Sequence, residues 1–133
     1  GSNVSLENRE AAMSQMEGGL QDEGLVAMAV IEALQLMGGV QSVSMALRLL
    51  ESLDSQLVQA ALSCVGEHGT DDQVRGLVSF VAHEDWSVRV EAIRIVEERQ
   101  IRDAIEPLKA LLLAEEDAYV RDAASRALTT LEE

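Results

Sequence analysis

The sequence predicts an all-α fold, an α-solenoid of four stacked helical hairpins with about eight helices. Three observations predict it. A segment opening with Asp recurs along the chain, the apolar content is aliphatic, and chain breakers fall where hairpins would turn. Of the 133 residues 47% are apolar, yet only Phe80, Trp86 and Tyr119 are aromatic. Such a core is built from Leu, Val, Ile, Ala and Met, which suits helices. Proline occurs once, at Pro107, and strand-type alternation is hard to find. The length is about one domain, enough to bury a core without metals or disulfides.

The repeat carries most of the information. Asp54-Ser-Gln-Leu57-Val-Gln-Ala-Ala61 can be laid over Asp85-Trp-Ser-Val88-Arg89-Val-Glu-Ala92 and over Asp117-Ala-Tyr-Val120-Arg121-Asp-Ala-Ala124. A weaker copy opens at Asp22. The four Asp positions are about 31 to 32 residues apart, a spacing typical of solenoid units. Each Asp is a good N-cap, its carboxylate accepting free amide protons of the following turn. Between these segments lie shorter apolar ones, such as Ile105, Leu108, Leu111 and Leu112 at helical spacing. Gly38-Gly39 and Gly69 offer positions that tolerate positive φ after a helix. Pro107 falls early in its segment, where a missing amide proton costs little. The expected helices cover 5–17, 23–37, 40–52, 55–68, 71–83, 86–99, 102–114 and 118–131. Gly1-Ser2, with no initiator Met, reads as a tag remnant ending near residue 4. One domain then follows over 5–133, with repeats at 5–38, 39–69, 70–100 and 101–133, excerpted from a larger protein.

The run Arg102-Asp-Ala104-Ile105-Glu106-Pro107-Leu108, followed by Asp117-Ala-Tyr-Val120-Arg121-Asp-Ala-Ala124, resembles the short bacterial HEAT-like repeat. The previous unit is similar at Asp85, Val88, Arg89 and Ala92. The resemblance implies a right-handed superhelix. It also implies a structural ladder between repeats, made here by Asp85, Arg89, Asp117 and Arg121. The ladder Arg position holds Val26 and Val58 in the first two units, so those units lean more on apolar packing. Independently of any family, each hairpin is apolar on more than one face and buries that surface by stacking. In the third unit Val88, Ala92, Ile95 and Val96 share one side of their helix.

Little in the sequence points to chemistry. The formal net charge is −14, which opposes nucleic acid and anionic membranes as partners. The charge is uneven: up to Asp72 the only basic residues are Arg9 and Arg48. Cys64, the single cysteine, reads as a small core filler. His68 and His83 fall at helix ends, where structural capping explains them. Neither has metal-ligand spacing, and the acidic pairs lack the alternation of a calcium loop. No catalytic residue, cofactor or metal is expected, and no run of membrane-spanning length is present.

HEAT-type arrays present the second helix of each hairpin on a concave face. In the third unit the stripe opposite the buried set is Trp86, Val90, Arg94 and Glu97. Its counterparts are Glu23, Ala27, Ile31 and Leu34; Ser55, Gln59 and Ser63; and Ala118, Asp122, Arg126 and Thr129. The expected partner-binding residues are therefore Ala27, Ile31, Leu34, Gln59, Trp86, Val90, Arg94, Asp122 and Arg126. Trp86 has two readings, a contact anchor or a cover for the hairpin turn. Helix 23–37 is apolar nearly all round, so either the segment 5–17 or another molecule covers it. All five methionines lie in this half, which also suits a peptide groove or a self-association face; ordinary core packing is the simpler account. The function expected is a non-catalytic, cytoplasmic scaffold for a protein or peptide partner. A module resembling bilin chromophore lyase subunits is the alternative, and a DNA-binding reading, after HEAT-like glycosylases, is opposed by the charge.

Overall fold

The computed structural model describes the chain from residue 19 to residue 133, and the side-chain surroundings from Val26 onward. The described residues form seven α-helices and two short 3₁₀ turns, with no strand among them. The chain divides into two compact units, the first ending at Leu36 and the second running from Met37 to Glu133. The expected helix at 5–17 lies outside the described residues.

The first unit contains α1, Gly19–Met37. Asp22 is not its N-cap, as the repeat pattern suggested, because the helix is already under way there. Leu20 and Gln21 are good helix formers, and acidic residues near a helix start suit its dipole. Along α1, Ala27 and Leu34 are buried and Val30 and Ile31 are half-covered, while Val26, Met28 and Leu36 are exposed. Within the chain the helix therefore buries one stripe and leaves the flank with Val26, Met28 and Leu36 open.

The second unit holds three hairpins. The first pairs α2, Gly39–Leu49, with α3, Ser55–His68. The second pairs α4, Asp71–Arg75, and the 3₁₀ turn Val78–Ala82 with α5, Trp86–Glu98. The third pairs the 3₁₀ turn Arg102–Ala104 and α6, Ile105–Ala114, with α7, Ala118–Glu132. The second helices stack in chain order, α3 on α5 and α5 on α7. This is the layered arrangement of an α-solenoid, whose core lies between the layers and between neighbouring second helices. Val58, Ala61, Leu62 and Val65 of α3 are fully buried, as are Val88, Ala92 and Val96 of α5 and Val120, Ala124 and Ala127 of α7. Each large aliphatic side chain buried this way contributes about 1.5–3 kcal/mol relative to exposure.

Local chemistry sets the boundaries. Gly38 and Gly39 have φ of 63° and 57°, the left-handed region where a Cβ is costly. Gly69 does not: its φ is −79°. Glycine is needed there for space, because a Cβ would sit 2.6 Å from the Val65 carbonyl oxygen. The expected helix 71–83 is broken. Thr70 and Gln73 form a reciprocal capping box that starts α4. Gly76 then weakens the helix, and the chain tightens to three residues per turn. That change keeps Val74, Leu77 and Val81 all facing the core at 0% exposure. α5 ends in a Schellman motif, with the Ile101 amide donating to the Val96 carbonyl at 2.9 Å and that of Gln100 to Glu97 at 3.2 Å. Gln100 takes φ 55° there without being glycine.

Candidate partner-binding surface

Three of the repeated Asp residues cap helices as expected. Asp54 accepts from the Gln56 amide at 2.9 Å, Asp85 from Ser87 at 2.8 Å and Asp117 from Tyr119 at 2.8 Å. The hydroxyl and amide of Ser87 hold the Asp85 carboxyl below its ordinary value, because both donate to the charged form. A polar relay crosses between repeats at this point. Gln59 Nε2 of α3 donates to Ser87 Oγ at 2.9 Å, and Ser87 Oγ in turn donates to Asp85.

The expected Asp–Arg ladder takes a different form. With their carboxylates turned to helix amides, Asp85 and Asp117 form no ion pair with Arg89 or Arg121 among the described residues. Each Arg folds back instead on the carbonyl six residues earlier: Arg89 Nη1 donates to His83 O at 2.9 Å and Arg121 Nη1 to Glu115 O at 2.9 Å. The link between repeats is Arg89 to Glu115, with Nη2 donating to Oε2 at 3.1 Å. Arg89 Nε lies 2.8 Å from Oε1 but its proton is not aligned for a hydrogen bond. Both side chains are largely buried, with 15% and 6% exposure. Val58, at the ladder position of the preceding repeat, is fully buried, and apolar packing replaces the cation there. Val26, at the same position of the first repeat, is 59% exposed and does not pack in that way.

Sequence reasoning missed a second cation that links repeats. Arg99, at the end of α5, donates to the carbonyls of Gly66 at 2.8 Å and Gly69 at 3.1 Å, and pairs with Asp71 at 2.9 Å. It thereby closes the free carbonyl end of α3. Its signal was present, a cation one repeat beyond a helix C-terminus, but only stacking shows which helix it serves.

The stripe expected to meet a partner is distributed as follows. Ala27 and Leu34 are 0% and 5% exposed, so they occupy the covered stripe of α1 and are not surface contacts; the helix phase had been set from the wrong starting residue. Ile31 is half-covered. Gln59 is half-buried and engaged with Ser87. On α5, Trp86 and Arg94 are exposed and Val90 is half-buried between them. On α7, Asp122 and Arg126 are exposed and paired at 3.1 Å. Arg94 sits between Glu91 and Glu98, and the Glu91 hydrogen bond raises its already high pKa further. The cations of the stripe are thus held by their own helices.

Trp86 has a companion that the sequence reading did not single out. Tyr119, at the second position of α7, meets it edge-on, with ring centroids 6.3 Å apart and planes at 84°. The two residues are 53% and 59% exposed. They come together because α5 and α7 stack in register, bringing the first turns of both helices side by side.

The remaining chemistry is structural. Cys64 Sγ lies 3.0 Å from Ser42 Oγ, which also donates to Gly39 O at 2.7 Å. Nδ1 of His83 accepts from the Asp85 amide at 3.0 Å, a local contact at the turn before α5. His68 closes α3 beside Glu67, at 3.5 Å. No cluster suited to a metal ion occurs among the described residues, and no described helix is long and apolar enough to cross a membrane.

No curated protein and no solved structure matches the chain. The family model described as HEAT repeats matches residues 46–129. That span covers more than half the chain and includes the stacked helices α3 and α5 and most of α7. The chain belongs to the HEAT-repeat family.

Proposed function

We propose that the chain is a non-catalytic scaffold that binds a protein or peptide partner on the exposed, concave-side stripe of its stacked second helices or on its N-terminal apolar half. HEAT repeats commonly serve as interaction scaffolds, and fold alone does not choose the partner. The observation that supports a binding face is the exposed Trp86–Tyr119 pair on adjacent helices. Large aromatic side chains left half-open on a soluble surface are typical anchors of protein contacts. The stripe continues through Val90, Arg94, Asp122 and Arg126, whose paired charges form a polar rim around that anchor. Self-association through the exposed flank of α1, near Met28 and Leu36, belongs to the same reading, as does a cytoplasmic location.

Affinity capture with the intact chain tests it. One partner set retained by the wild type and lost with Trp86→Ala, while the helical circular dichroism is unchanged, supports the reading. An identical set captured by the variant removes the surface from consideration.

A further inference from the structure

Along one edge of the second unit, first helices turn into second helices, and three features meet there. The first is the Trp86–Tyr119 pair, each residue more than half exposed. The second is an open cavity of about 550 Å³ with an apolar lining that includes Ala82, Pro107 and Leu111. Its lining also includes Glu84 and Glu116, which lie two residues before Trp86 and three before Tyr119. The third is charge. These turns carry Glu84, Asp85, Glu115, Glu116 and Asp117, against Arg89 and Arg121. Both cations are already engaged, Arg89 by Glu115 and two carbonyls, and Arg121 by the carbonyls of Leu112 and Glu115. Glu84 and Glu116 are exposed and form no ion pair among the described residues.

We propose that this edge docks an arginine-bearing, otherwise apolar peptide segment of a partner protein. A guanidinium rests against the Trp86–Tyr119 pair within the acidic rim, and a neighbouring apolar side chain enters the cavity. The inference rests on the scaffold reading and specifies its partner chemistry. Aromatic faces attract cations, and the planar guanidinium stacks on them better than an ammonium does. Carboxylates without partners complement that charge and repel nucleic acid and anionic lipid. An apolar cavity lined by residues two to three positions from the aromatic pair calls for a side chain of the same ligand, which a free cation lacks.

Trp86 is the only tryptophan, so its emission reports on the site directly. The full chain is titrated with capped synthetic peptides of about a dozen residues on one Leu/Ala/Ser framework, carrying Arg, Lys or Glu. The Arg peptide shifts Trp86 emission saturably, the Lys peptide binds several-fold more weakly, and the Glu peptide does not bind. With the peptide labelled and anisotropy as readout, Trp86→Ala weakens binding about tenfold. Glu84→Gln/Glu116→Gln weakens it by roughly threefold or more. Glu67→Gln/Glu133→Gln removes the same charge at the C-terminal ends of α3 and α7, away from the cavity lining, and leaves affinity within about twofold. Equal weakening by this remote pair shows diffuse attraction and overturns the proposal. Binding of the Glu peptide, lost in Arg94→Ala/Arg126→Ala, overturns the basic-partner inference and leaves the scaffold reading standing. Failure of every peptide, together with captured proteins indifferent to Trp86→Ala, overturns both.

Discussion

Gly66 lies in α3 where that helix crosses α5. A Cβ built on it would sit 2.9 Å from both Cδ1 and Cγ1 of Ile95 and 3.0 Å from Cγ2. Two effects of Gly66→Ala therefore oppose each other. Removing glycine from a helix interior gains about 1 kcal/mol. Forcing a methyl into a packed contact costs about 1–3 kcal/mol. Ile95 is 2% exposed, so it cannot swing into solvent to relieve the contact. The helices cannot easily part either, because Arg99 of α5 holds the Gly66 carbonyl at 2.8 Å. The packing cost wins, and Gly66→Ala destabilises the chain by about 1 kcal/mol net. Urea unfolding followed by circular dichroism and Trp86 emission measures it. In an Ile95→Ala background all three contacting atoms are gone, and the same substitution then stabilises by about 0.5–1 kcal/mol. A stabilisation in the wild-type background equal to the bare helix gain would refute the close approach of α3 and α5.

Three further outcomes follow from the same geometry. Arg89→Met strands the nearly buried Glu115 carboxylate and costs about 3 kcal/mol in chemical denaturation, whereas Arg89→Met/Glu115→Leu recovers most of the loss; a double variant as weak as the single would contradict the pairing. Gln100→Gly relieves the left-handed φ at the end of α5 and raises stability by about 1 kcal/mol, read as an increased denaturation midpoint. The lowered Asp85 pKa makes its charged form a stabilising contributor above the ordinary carboxylate range; that contribution disappears as pH falls through its folded-state value. Asp85→Asn removes this part of the acid sensitivity, so the stability gap between wild type and variant narrows on acidification, and a gap that widens would reverse the assignment.

Much of the second unit was legible because capping and periodicity act locally. The Asp caps at 54, 85 and 117 and the buried set of α5 depend on residues within one or two turns, and periodicity records them directly. Features that depend on stacking were hidden. Tyr119 seemed one position out of the Trp86 stripe, yet two first turns side by side bring the rings together. Gly69 looked like a positive-φ glycine, but its role is to let the chain pass the Val65 carbonyl. The ladder was misread for a related reason: Asp85 and Asp117 turn Oδ1 to the amides of their own helices, and Glu115 is the carboxylate that meets Arg89. The break in the expected helix 71–83 was indicated by Gly76, which outweighs an apolar spacing compatible with either helix type. In α1, Asp22 imitates the other repeats without capping, and this shifted the inferred phase so that Ala27 and Leu34 were assigned to the surface.

Truncation is the most direct measurement on the central claim, that neighbouring hairpins cover each other's apolar flanks. Deleting 101–133 strips α7 and α6 from α5 and uncovers the α5 side that packs on them. Thermal melting of the remaining chain, followed by circular dichroism, is predicted to lose its cooperative transition or shift it far down. A truncated chain melting at the full-length temperature with undiminished cooperativity would contradict the account.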